Sequence, residues 1–236
     1  MRFETTKALA ERRAFLQEAK GQVKRRVVVC AGTGCVAGGA LELYEELVKL
    51  GKEGGLDFQV DLEPCSGEHE SGPDYVTVSG CHGFCQMGPL VHILPEDILY
   101  TKVQVKDAAE IIDKTFKEGE VIERLFFVDP DTEEKQKGRE DIAFYNKQTR
   151  IALASCGVID PESLDDYVAN GGYEALVKVI SEMTSDQVIE AVEKSGLRGR
   201  GGGGFKTGRK WRSALNAIKT NGADRTLYVI CNGDEG

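Results

Sequence analysis

The sequence predicts an α/β protein of two domains, and three observations carry that prediction. Short β-branched runs alternate with helical stretches, and a charged, turn-rich tract at 129–140 (DPDTEEKQKGRE) has no hydrophobic periodicity. The two sides of that tract also differ in character, with close cysteine pairs before it and a run of glycines after it. The expected division is therefore a first domain at 1–128, a linker at 129–140 and part of a second domain at 141–236.

Taken in order, the N-terminal twenty residues carry Glu4, Glu11 and Glu18 among their bases and have no apolar core. They read as an amphipathic helix and not as a secretory signal. Residues 25–30 (RRVVVC) form a buried-strand pattern whose last residue opens the loop AGTGC before a helix at about 37–52. A second strand at 57–62 alternates apolar and polar, and a third at 75–79 delivers the chain to Cys81, His82, Gly83, Phe84 and Cys85. Strands at 89–94 and 98–103 flank the turn Pro95-Glu96-Asp97, and a helix at about 106–117 is stopped by Gly119. Strand, helix, strand, hairpin, helix is a thioredoxin-like order.

Beyond the tract, Asp160 is expected to cap a helix with Pro161 in first position, and Thr184 with Gln187 forms a capping box for another that stops at Gly196. Residues 225–230 read as a strand releasing the acidic loop 231–236. Helices with one strand and no covering sheet make an incomplete domain, so a truncated or split piece is expected.

Composition narrows the functional classes. With 30 basic and 39 acidic residues among 236, the net charge of −9 argues against a nucleic-acid surface. No apolar run approaches the roughly 18 residues of a membrane span, and the expected location is cytoplasmic. Seven cysteines in a chain without a signal suit metal ligation better than disulfides. Cys65, Cys156 and Cys231 lack close sequence partners and read as small packing residues.

Cys30 with Cys35 and Cys81 with Cys85 each follow a strand. Thiolates are soft ligands, and a 2Fe-2S cluster wants four, held by loops whose amides reach the sulfurs. Gly32, Gly34, Gly83 and Gly88 supply such loops. Structural zinc is the rival reading, although it usually takes Cys-x2-Cys knuckles and these gaps are four and three residues; unliganded core thiols are the plain alternative. His82 is expected to support the ligands or face solvent.

These motifs, followed by Gly88-Pro89 and an apolar strand, resemble the thioredoxin-like 2Fe-2S ferredoxins and the 24 kDa type subunit of respiratory complex I, across about residues 20–120. The resemblance implies that Cys30, Cys35, Cys81 and Cys85 all ligate a one-electron cluster.

The glycine run GLRGRGGGGFKTGRKW at 196–211 fits neither a dinucleotide fingerprint, which follows a strand, nor a Walker A loop, since Arg209 stands after Gly208. Bare backbone flanked by Arg198, Arg200, Lys206, Arg209 and Lys210 permits close approach of a flat or phosphorylated ligand. A flexible linker would lack Phe205 and Trp211. Together with CNGDEG and CGVIDPESLDDYVANGGYEAL, this run is similar to the 51 kDa flavin-binding subunit type of complex I across 141–236.

By that resemblance the second domain is the N-terminal part of an α/β FMN-binding domain. Gly199, Arg200, Gly201 and Gly202 would line FMN, Phe205 would stack on NAD(H) or NADP(H), Lys210 would reach phosphate, and Asn232, Asp234 and Glu235 would face the flavin. Lys206 stands where the family usually has Pro, and Arg209 where an apolar residue is common. A 4Fe-4S cluster would belong only to a segment beyond Gly236.

The fused order resembles the beta subunits of soluble NAD-linked hydrogenases and formate dehydrogenases, including electron-bifurcating types. It implies a diaphorase module: hydride passes from NAD(P)H to FMN, then single electrons to iron-sulfur clusters of partner subunits, with no catalytic acid or base. The alternatives are a non-catalytic 2Fe-2S carrier or assembly subunit, and a structural zinc module.

Overall fold

The computed structural model describes residues 5–63, 72–221 and 230. They fall in two compact units, Met1–Gly172 and Tyr173–Gly236.

The first unit is built on five strands: β1 (Arg25–Cys30), β2 (Phe58–Gln59), β3 (Asp74–Ser79), β4 (Val91–Leu94) and β5 (Ile98–Tyr100), in the order β2-β3-β1-β4-β5. β1 and β3 run parallel with Cys30 opposite Ser79, while β4 is antiparallel to β1 and β5 to β4. A parallel pair joined through a helix, then an antiparallel hairpin added beside the first strand, is the thioredoxin-like topology that the element order predicts. Because β1 is central, its residues read as a continuous apolar run and not an alternation, with Val27, Val28 and Val29 at most 1% exposed.

α1 (Thr6–Gln22) starts at Thr5, whose hydroxyl accepts from the Ala8 amide. The expected helix at 37–52 is instead two helices, α2 (Thr33–Ala37) and α3 (Ala40–Glu53). Gly39 between them sits at φ 89°, a backbone state open to glycine at little strain. Leu43 and Leu47 of α3 are buried with Val91, Ile93, Leu99 and Tyr100 in one core. Each such side chain contributes about 1.5–3 kcal/mol of burial. The expected strand at 57–62 shrinks to β2, an edge strand that pairs with β3 only at Asp74 and Tyr75. After the hairpin, a short 3-10 turn at Val105–Asp107 leads into α4 (Ala108–Glu110) and a π-helical stretch Ile111–Glu118, which buries Ile111, Ile112 and Phe116.

The buried charges of this unit are paired. Arg25 meets Asp74 through two contacts of 3.0 and 3.3 Å and lies over the Phe116 ring. Burial pushes the Asp74 carboxyl up despite Arg25. Removing either partner would strand a buried charge.

The tract expected to be a linker is folded into this unit. β6 (Phe127–Val128) and β7 (Lys135–Gln136) form a hairpin, and the Leu99 amide donates to the Lys137 carbonyl at 2.8 Å. Asp97 accepts from His92 Nε2 at 2.7 Å and from the Arg139 and Glu140 amides at 3.1 and 3.2 Å. The chain then continues through α5 (Ala143–Asn146) to α6 (Leu164–Ala169). Arg12 donates to both carboxylate oxygens of Asp165, Arg26 reaches Asp166 at 3.2 Å, and the Gly80 amide donates to the Ile159 carbonyl. Residues 141–172 thus belong to the first compact unit, and the division falls at Gly172. Composition alone misses this because ion pairs and backbone bonds to distant residues leave no periodic trace.

In α6 the cap is Ser163, whose hydroxyl accepts from the Asp166 amide; Asp160 instead accepts from the Glu162 amide in the preceding turn. Pro161 therefore lies in a turn and not in a first helical position.

The second unit contains α7 (Glu174–Glu182), α8 (Ser185–Ser195) and α9 (Thr207–Asn221). Thr184 and Gln187 form the expected capping box, and Gly196 ends α8 at φ 69°. Arg212 of α9 pairs with Asp186 and Glu193 of α8. The expected strand at 225–230, the loop 231–236 and Cys65 lie outside the described residues, apart from Ile230.

Candidate functional site

Parallel strands β1 and β3 end at the same edge of the sheet, so the loops that follow them meet there. The Ala31 amide donates to the Ser79 carbonyl at 2.9 Å and locks the two loop starts together. From the first loop come Cys30 and Cys35, each 1% exposed; from the second come half-buried Cys81 and exposed Cys85. The structure thus brings together all four cysteines that the spacing singles out.

Their packing is close. A Cβ on Gly32 would lie 2.8 Å from Cys81 Cβ and 2.9 Å from its Sγ, and one on Gly88 would lie 2.5 Å from Cys35 Sγ. Only glycine fits such approaches without a shift of the loops. Cys81 and Cys85 Sγ are 3.7 Å apart, and the Gly83 amide donates to Cys81 Sγ at 3.2 Å. Among the described residues, no three His, Cys, Asp or Glu side chains are placed around a single metal ion. The Cys30 thiol meets those of both Cys35 and Cys81, and Cys81 meets Cys85, so the four thiols adjoin one another in one group.

Electrostatics differ across the four. The Cys35 thiol pulls Cys30 down to about 6 against the effect of burial, aided by the His82 and Gly32 amides and the Cys81 thiol. Cys35 moves up, chiefly because it shares a hydrogen bond with Cys30 and is buried. Burial also pushes Cys81 up. Amides aimed at sulfur favour thiolate, the form that binds metal.

His82 is fully buried, not solvent-facing. Its Nε2 lies 3.0 Å from Ser79 Oγ, its Nδ1 has no partner, and burial drives it down to about 3, so it stays neutral. Its backbone carbonyl accepts from Arg150 at 3.1 Å.

Sequence reasoning missed the cover over the second loop. Phe84 stacks on Phe144 at 4.8 Å and meets Tyr145 and Phe127 edge-on at 5.5 and 5.2 Å. Arg139 and Arg150 lie over the Tyr145 ring at 4.7 and 5.3 Å. The available signal was the pair Phe144-Tyr145 just past the charged tract, which carries no motif. Cys156, expected to be a packing residue, is a half-buried free thiol.

In the second unit, the glycine run forms a tongue between α8 and α9. Its base is closed by the Gly199 amide donating to Phe205 and the Thr207 amide donating to Leu197, at 2.9 and 3.0 Å. A Cβ at Gly201, Gly202, Gly203 or Gly204 would meet nothing within 4 Å, and Gly202 holds φ 95°. Gly199, Arg200, Gly201 and Gly202 therefore share one exposed loop. Phe205 stands at its base, 54% exposed, and Lys210 lies in the first turn of α9. A cavity of about 240 Å³ beside the tongue is lined by Val192, Glu193, Leu197, Lys206 and Arg209. Bare backbone, the positive end of a helix, an open aromatic and clustered cations suit a flat, phosphorylated ligand. Asn232, Asp234 and Glu235 lie outside the described residues.

No family profile matches the chain. Among curated proteins it is 57% identical over 90 residues to the NADP-reducing hydrogenase subunit HndC of Solidesulfovibrio fructosivorans, covering 38% of this chain and 17% of that protein. It is 44% identical over 86 residues to an NADH-quinone oxidoreductase subunit of Rhizobium meliloti, covering 36% and 19%. The chain thus spans less than a fifth of the length of these relatives. Among solved structures, a thioredoxin-like [2Fe-2S] ferredoxin from Aquifex aeolicus is 24% identical over 44% of this chain and 89% of that one, with a TM-score of 0.34. An NAD+-reducing [NiFe]-hydrogenase chain is 16% identical over 88% of this chain and 33% of that one, with a TM-score of 0.32. The thioredoxin-like assignment itself rests on the strand order and register. Among the described residues, no helix is long and apolar enough to cross a membrane.

Proposed function

We propose that this chain belongs to an NAD(P)H-oxidising electron-transfer subunit, with a 2Fe-2S cluster held by Cys30, Cys35, Cys81 and Cys85. The observation that carries the reading is the convergence of two cysteine pairs at the ends of adjacent parallel strands, packed so closely that Gly32 and Gly88 have no room for a side chain. The strong identity to a hydrogenase subunit and to NADH-quinone oxidoreductase subunits supports the nicotinamide link.

Residues 199–205 and Lys210 form one wall of a site for FMN and the nicotinamide nucleotide. FMN, when bound, supplies the conversion between a two-electron hydride donor and a one-electron cluster. The glycine backbone admits the flat ligand, Lys210 with the α9 N-terminus neutralises phosphate, and Phe205 offers a stacking face. No side chain has to move a proton in this scheme. Lys206 and Arg209 add solvent-exposed positive charge beside that wall. At the other site Cys30 and Cys35 are shielded and Cys85 is exposed, so electrons cross the Cys85 edge toward partner subunits of a hydrogenase or formate dehydrogenase complex.

A second reading is favoured by one observation: every cysteine of the proposed cluster lies within Met1–Gly172, so that unit has what a simple carrier needs. Anaerobic reconstitution followed by iron and sulfide assay, paramagnetic resonance after dithionite, and NADH-dependent dye reduction separates the cases. Two irons per chain with flavin-dependent dye reduction supports the enzyme subunit. A reducible cluster without flavin retention supports the carrier, and stoichiometric zinc without iron overturns both.

A further inference from the structure

Tyr145 is 7% exposed, yet its hydroxyl is a buried polar atom with no hydrogen-bond partner. A buried phenol normally finds an acceptor, and leaving it without one is unfavourable. Its ring is fixed from several sides: edge-on to Phe84 at 5.5 Å and to Phe144 at 5.1 Å, with the Arg139 and Arg150 guanidinium groups over it. Arg150 in turn is tied to the His82 carbonyl, between Cys81 and Gly83. Phe84 itself adjoins Cys85 in sequence, so a fixed donor without an acceptor stands against the second cysteine loop.

We infer that residues 139–150 form a lid on the second cysteine loop, and that the Tyr145 hydroxyl donates a hydrogen bond to a sulfur of the loaded cluster, a cysteinyl Sγ or a bridging sulfide. The inference rests on the 2Fe-2S reading. Tyr145 is then a positioning residue that tunes the centre. Reduction adds one negative charge to the cluster, and a hydrogen bond to sulfur together with two nearby guanidinium groups stabilises that added charge, raising the potential. Half-buried Phe84, stacked on Phe144, partly shields the same side, which strengthens each of these interactions.

The test is a redox titration followed by paramagnetic resonance on reconstituted wild type, Tyr145→Phe and Arg150→Gln, with iron content and thermal midpoint measured in parallel. Tyr145→Phe keeps the ring and should retain two irons and the thermal midpoint. Its reduction should become about tenfold less favourable, which for one electron is about 59 mV. Arg150→Gln leaves the hydroxyl in place and should shift the equilibrium about threefold in the same direction. A merely structural role would lower iron content or thermal midpoint and leave the potential of loaded protein alone. An unchanged potential in loaded Tyr145→Phe overturns the inference while the cluster reading stands. Should that variant fail to load, an unchanged potential in Arg150→Gln overturns it instead. Wild type without iron overturns the cluster reading, and the inference falls with it.

Discussion

Replacing Gly32 by Ala isolates the close approach on which the cysteine site depends. Gly32 has φ −64°, so alanine meets no backbone strain there, and the effect is purely one of space. Its new Cβ would lie 2.8 Å from Cys81 Cβ and 2.9 Å from Cys81 Sγ, well inside carbon–carbon and carbon–sulfur contact. Relief requires the first loop to move away from the second, which opposes the Ala31–Ser79 bond that joins them. Overpacking of this kind costs about 1–3 kcal/mol and here also separates the thiols. Gly34→Ala is the matched control: it lies in the short helix that Gly32 precedes, but its Cβ would meet Cys85 Cβ at an ordinary 3.6 Å. That control should be neutral or up to about 1 kcal/mol more stable. Urea unfolding of both variants, with iron and sulfide per chain after reconstitution, is the assay. The reasoning fails if Gly32→Ala unfolds at the wild-type urea midpoint with full iron content, or if the two variants lose stability equally.

Asp97→Asn should destabilise the first unit by about 1 kcal/mol at pH 7 once solvent screening is allowed for. His92, with the Glu140 and Arg139 amides, holds the carboxyl down to about 2. A depressed carboxylate stabilises the fold above its unfolded value of about 3.9, and that contribution fades as pH falls toward 2. Urea midpoints of wild type and variant should therefore converge by about pH 2, and a gap that persists there would contradict the assignment. Thr184→Ala removes half of a capping box and should cost about 1 kcal/mol, read as lost helicity on heating; Gly in the same position should cost only a few tenths. Lys210→Ala should weaken FMN retention by about tenfold, from loss of a charge-assisted phosphate contact. Flavin content equal to wild type after gel filtration would count against that role.

Much of the fold is legible from pattern. Val27, Val28 and Val29 could only be a buried strand, Thr184 and Gln187 could only start a helix well, and Gly196 stops it at positive φ. Such signals are local, since a residue's neighbours in sequence are its neighbours in the helix or strand. The paired cysteines are legible for the same reason: each loop follows its strand directly. Where local and long-range forces competed, the pattern gave less. The two-glycine break divides α2 from α3, the edge position of β2 shortens a strand that alternation extends, and Ser163 takes the capping role from Asp160.

Local chemistry along the chain sets which residues can ligate, where the strands end and where glycine must stand. Three-dimensional packing alone selects the return of the charged tract onto Asp97, the place of 141–172 in the first unit, and the closure of Tyr145 with two arginines over the second cysteine loop. The reason is physical. The contacts that fix these features, Asp97 to Arg139, Phe84 to Tyr145, His82 to Arg150 and Arg12 to Asp165, join residues about 40 to 150 positions apart through single ion pairs, ring contacts and backbone bonds, whose partners are chosen by the folded shape and not by any repeat along the chain.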